Sequence, residues 1–90
     1  MNIEFTPEAW NHFASFLESD RAAVEKIKAI LKDIKRDPFQ GIGKPEPLKH
    51  DLKGLWSRRI NNEHRMVYKI EGEKGVNQKC LIVSCRHHYD

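Results

Sequence analysis

Ninety residues, 39% apolar and 32% charged, make one domain around one small core, with residues 1–90 as the single unit and a net charge of only +3. No apolar stretch approaches the roughly 18 residues needed to cross a bilayer. The opening Met1-Asn2-Ile3-Glu4-Phe5 lacks the basic-then-apolar pattern of an export signal, so a cytoplasmic chain with no membrane partner is expected.

Residues 3–5 form a short apolar run that predicts a first strand. Thr6-Pro7-Glu8 then starts a helix, with a side-chain oxygen to cap it, proline at its first position and a carboxylate near the positive end of its dipole. Trp10, Phe13, Ala14 and Leu17 follow at helical spacing and predict one apolar stripe. Ser19-Asp20 interrupts the helix. Val24, Ile27, Ile30, Leu31 and Ile34 give a second stripe, which ends at Asp37-Pro38 because proline pushes the preceding residue out of the helical region. Residues 39–54 hold three glycines and two prolines and read as a loop.

Residues 55–61, 65–70 and 80–88 read as strands. Asn61-Asn62-Glu63 is a tight turn between the first two, and residues 71–79 are a polar hairpin loop. The order β-α-α-β-β-β defines an α+β fold, with a two-helix hairpin packed on one face of a mainly antiparallel four-stranded sheet. Cys80 and Cys85 fall in one strand about 17 Å apart, too far for a disulfide, and are expected as reduced thiols.

The chemistry is concentrated in the second half. Residues 38–69 carry seven Lys/Arg against three Asp/Glu, whereas residues 1–37 carry six against seven. That imbalance suits a polyanion, and a solvated basic surface explains it equally well. Strand alternation puts Met66, Tyr68 and Ile70, then Leu81, Val83 and Cys85, and also Trp56 and Ile60, towards the core. It leaves Ser57 and Arg59, Arg65, Val67 and Lys69, and Ile82, Ser84, Arg86 and His88 on the opposite face. Arg59, Arg65 and His88 thus share an open face, provided no bulge intervenes.

Glu46 lies between Pro45 and Pro47, a context that restricts the backbone and can aim its side chain. An exposed loop glutamate, a pair of arginines in surface ion pairs and a solvated terminal histidine are the ordinary alternatives for these residues. A carboxylate base, arginines for phosphate and a histidine acid are also the groups that cleave RNA without a metal. His64, His87, His88 and Cys85 lack metal-ligand spacing, and neighbouring strand residues point to opposite faces, so neither a metal nor another cofactor is expected.

The blocks Lys44-Pro45-Glu46-Pro47-Leu48-Lys49-His50, Trp56-Ser57-Arg58-Arg59-Ile60 and Glu63-His64-Arg65-Met66-Val67-Tyr68 closely resemble those of the YoeB toxins, ribosome-dependent mRNA interferases of the RelE superfamily. The resemblance runs from the Trp10 helix to Tyr89. It implies a RelE-like toxin that enters the ribosomal A site and cuts the bound mRNA. By motif, Glu46 resembles the family's general base, Arg65 its phosphate-stabilising arginine and His88 its general acid. Lys49 and Arg59 resemble further basic site positions, and Tyr89 the terminal tyrosine that places substrate. The resemblance also implies a YefM-type antitoxin whose acidic tail folds over the basic face, and leaves self-pairing open. Two positions depart from the family: His87 stands where tyrosine is usual, and Asp90 extends past Tyr89. The loop at 71–79 is longer than usual. A carboxylate is a weak base at neutral pH, so the ribosome's placement of the RNA must supply much of the rate, and little activity on free RNA is expected.

Overall fold

A computed structural model of the chain describes residues 1–86. Strand β1 (Asn2–Phe5) leads into helices α1 (Pro7–Ser19) and α2 (Arg21–Arg36), followed by β2 (Glu46–Pro47), a one-turn 3-10 helix (His50–Leu52), β3 (Trp56–Arg59), β4 (Arg65–Glu71) and β5 (Lys79–Ser84). The sheet has five strands in the order β1-β5-β4-β3-β2. All neighbours are antiparallel except β1 and β5, which run parallel. The expected order of elements is present, and the fifth strand comes from Glu46-Pro47, inside the segment read as loop. Two residues, the second a proline, carry no alternation to read, and a proline-containing strand belongs at a sheet edge.

The helix punctuation follows the sequence closely. Thr6 caps α1, its hydroxyl oxygen accepting from the Ala9 N–H at 3.1 Å, with Pro7 at the first turn. Asp20 serves both helices: its N–H donates to the Phe16 carbonyl at 2.8 Å and its carboxylate accepts from the Ala23 N–H at 3.1 Å. On α2 the predicted stripe is the buried one, with Val24, Ile27, Ile30 and Ile34 in the core and Leu31 partly covered. On α1 the stripe is rotated from the prediction. Ala9 and Phe16 are buried, whereas Trp10 and Leu17 remain 52% and 53% exposed. Trp10 instead closes an aromatic cluster with Phe5 and Phe13, each pair of ring centroids 5.8 Å apart.

The helices cover one face of the sheet, where Met66 and Tyr68 of β4 meet Cys80 and Ile82 of β5. The alternation of β5 is therefore the reverse of the one expected over its first half: Ile82, not Leu81 or Val83, faces the helices. A bulge then corrects the phase. Tyr68 pairs with Ile82 but Val67 with Ser84, so Val83 is the extra residue, and Ser84 and Cys85 regain the predicted sides. For the same reason both cysteines, five positions apart, end in the core as free thiols, where burial pushes each pKa up to about 12.

Candidate active site

On the face away from the helices, strand pairing builds two adjoining rows. Glu46 of β2 lies opposite Ser57 of β3, which lies opposite Val67 of β4, which lies opposite Ser84 of β5. One step along, Arg59 of β3 lies opposite Arg65 of β4. Neighbouring strands are about 4.8 Å apart, so a carboxylate and two guanidinium groups with reach of several ångströms project over the same few residues. Two arginines directly opposite each other also concentrate positive potential there.

The members differ in how they are held. Glu46 has a side chain 44% exposed, with Lys44 Nζ 3.6 Å from Oε1. Arg65 is half-buried, and its Nη1 donates to the hydroxyl of the fully buried Ser57 at 3.5 Å. Arg59 is exposed, its backbone N–H given to the Gly43 carbonyl at 2.6 Å. Lys49 is exposed on the segment after β2, next to the 3-10 turn. His64 closes the turn between β3 and β4: its carbonyl accepts from the N–H groups of Ile60 and Asn61, and its ring packs 5.3 Å from that of Phe16. Glu46, Arg59 and Arg65 are thus brought together, with Lys49 three residues beyond Glu46 on the same edge. His88 and Tyr89, expected at the site, lie outside the described residues, as do His87 and Asp90.

Arg86 is not on the open face as alternation placed it. Its Nη2 donates to Ser15 Oγ at 2.7 Å and its guanidinium lies 4.6 Å from the centre of the Phe16 ring, both on α1. Strand β5 ends at Ser84, so alternation no longer governs Arg86. Beside it, the Cys85 N–H donates to His12 Nδ1 at 3.1 Å. Helix α1 therefore holds the start of the C-terminal segment.

The residue that sequence reasoning missed is Arg58. Its side chain is 0% exposed, on the helix side of β3, yet every donor is used. Nη1 gives bonds to Asp33 Oδ2 at 2.6 Å and the Ile42 carbonyl at 3.2 Å. Nη2 reaches the carbonyls of Asp37 at 2.7 Å and Gln40 at 3.4 Å. Nε donates to the Tyr68 hydroxyl at 3.0 Å, which in turn donates to the Pro38 carbonyl at 2.8 Å. Asp33 accepts from Arg36 Nε at 3.0 Å, from Arg58 and from the Ile42 N–H at 2.9 Å. Its hydrogen bonds from Arg36 and then Arg58 hold its pKa down at about 2. Residues 37–42, the approach to β2, are thus pinned from the inside by one guanidinium.

Gly43 completes that approach. Its φ of +78° suits glycine, and a Cβ there would lie 3.0 Å from the Arg59 carbonyl oxygen and 3.1 Å from Arg58 Cβ. A side chain there would push the loop and β3 apart by a few tenths of an ångström.

Comparison with known proteins gives the family and agrees with the fold. Residues 5–89 match the model of the YoeB-like toxin of bacterial type II toxin-antitoxin systems. The chain is 49% identical to the toxin YoeB of Synechocystis sp. over 99% of its own length and 98% of the relative's. It superposes on a YoeB/ParE toxin from Agrobacterium tumefaciens with a TM-score of 0.92 and 43% identity, covering 99% of this chain and 100% of the other. The YoeB of Staphylococcus aureus, solved as a dimer and in complex with YefM, superposes with TM-scores of 0.87 and 0.85 at 43% and 42% identity, over 99% of this chain and 98% of that one in both.

Proposed function

The chain belongs to the YoeB-like toxins of bacterial type II toxin-antitoxin systems, and from that premise we propose that it is a ribosome-dependent endoribonuclease that cuts mRNA in the ribosomal A site and so stops translation in the cytoplasm. The observation that carries this reading is the meeting of Glu46 with Arg59 and Arg65 on adjoining rows of one sheet face. Glu46 takes the proton of a 2′-hydroxyl, whose oxygen attacks the adjacent phosphorus. Arg65 and Arg59 offset the charge that grows on the phosphorane oxygens, and Lys49 adds to the field that holds the backbone. His88 returns a proton to the departing 5′-oxygen, and Tyr89 places the base. The first product is a 2′,3′-cyclic phosphate, and no metal or other cofactor takes part.

A YefM-type antitoxin is the partner that neutralises the protein, supported by the YoeB–YefM complex of the Staphylococcus relative. That relative's dimer supports self-pairing of this chain as well. Purified protein added to a translating system is expected to cleave the message. Glu46→Gln is expected to lower that rate about 10²–10⁴-fold, the range for loss of a general base, and Arg65→Ala about 10²–10³-fold. An intact message in the presence of the parent, or variants that cut as fast as it does, would sink the reading.

A further inference from the structure

Glu46 stands on the weakest element of the sheet. Strand β2 has two residues, and Pro45 and Pro47, on either side of Glu46, have no N–H to give to a ladder. So short an edge strand does not fix a side chain by its own pairing, and the path of the chain before it becomes decisive. That path, residues 37–43, is held by Arg58 through three carbonyls, by Tyr68 through a fourth, by Asp33 through the Ile42 N–H and by Arg59 through the Gly43 carbonyl.

The pair is enclosed at Arg58 and open to solvent at Asp33, so its Coulombic gain is small beside the main-chain hydrogen bonds that the guanidinium makes. Every main-chain group that the Arg58 guanidinium contacts belongs to the approach to Glu46, while its own backbone is a rung of the strand that carries Ser57 and Arg59. It is a strut between the strand that bears one phosphate-binding candidate and the loop that delivers the base.

Resting on the reading of Glu46 as the base, we propose that Asp33 and Arg58 are positioning residues for cleavage: their ion pair sets the path of residues 37–43 and so the place of Glu46 against Arg59 and Arg65. A displacement of about 1 Å at a reacting group lowers rate by about 10²-fold.

The test is a double-mutant cycle on ribosome-bound message, at saturating toxin and below the melting temperature of every variant. Asp33→Asn and Arg58→Lys are made in the parent and in Glu46→Gln. In the parent each is expected to lower the cleavage rate about 10- to 100-fold with the half-saturating concentration unchanged. In the Glu46→Gln background each is expected to lower the residual rate less than about twofold, while the drop in melting temperature is the same in both backgrounds. Equal fold-losses in both backgrounds, or no loss in a folded parent variant, overturn the positioning role alone. A Glu46→Gln protein that cuts like the parent overturns the base assignment and the proposal with it. Should the clamp variants fail to fold, Gly43→Ala leaves the ion pair in place and lifts the loop from β3. It is expected to give the same pattern, and equal losses in both backgrounds overturn the proposal there too.

Discussion

Arg58 and Arg59 are neighbours on β3 and opposites in surroundings. Arg58 turns to the helices, is fully enclosed and has every N–H matched to a carboxylate, a phenol or a main-chain carbonyl. Arg59 turns to the other face, lies exposed and sits opposite a second arginine. One cation organises the protein, and the other is the one proposed above to meet an RNA phosphate. The lesson is that a run of arginines is not one feature. A single step along a strand divides it between the enclosed face and the open one.

The sharpest way to break this contrast is Arg58→Ala. It empties an enclosed position, frees the carbonyls of the 37–42 loop and leaves Asp33 with Arg36 as its ion-pair partner, and is expected to destabilise the domain by about 3 kcal/mol. Urea denaturation measures it, and a loss below about 1 kcal/mol would mean that water satisfies the loop as well as the guanidinium does. Acid titration gives a smaller effect with a defined sign. Asp33 has its pKa lowered from 3.8 to about 2 in the folded protein. Its contribution is therefore present above pH 3.8 and lost as the pH falls through about 2, and solvent around the carboxylate keeps it small. Melting temperature followed over that range should drop less steeply for Asp33→Asn than for the parent, and parallel curves would assign acid sensitivity to other carboxylates. The smallest effect is expected at Arg59→Ala, where stability stays within about 0.5 kcal/mol of the parent and cleavage falls about tenfold. A stability loss equal to that of Arg58→Ala would erase the distinction between the two faces.

What the sequence made legible was local. Thr6, Pro7, Asp20 and Asp37-Pro38 mark the helix ends because capping and proline sterics act within a few residues, and the α2 stripe was strong enough to survive packing. The facing of Arg59 and Arg65 could be anticipated because β3 and β4 are joined by a tight turn that Asn61 closes, its side chain accepting from the N–H groups of Glu63 and His64. The failures are all non-local. The β5 bulge is a property of its pairing with β4. The swing of Arg86 depends on α1, more than 70 residues away. The burial of Arg58 depends on a loop and a helix that alternation in β3 says nothing about. Strand β2 escaped notice because two residues have no period.

The parallel pairing of β1 with β5 has a kinetic meaning. Thr6 donates to the Val83 carbonyl across 77 positions at 3.1 Å, so the first strand finds its partner only in the last. During synthesis, which proceeds at about 5–20 residues per second, the helical hairpin is available early through contacts between near neighbours. It then has no sheet to bury its stripes against until β4 and β5 have been made. The closure that pairs β1 with β5 must wait until Lys79–Ser84 has been made.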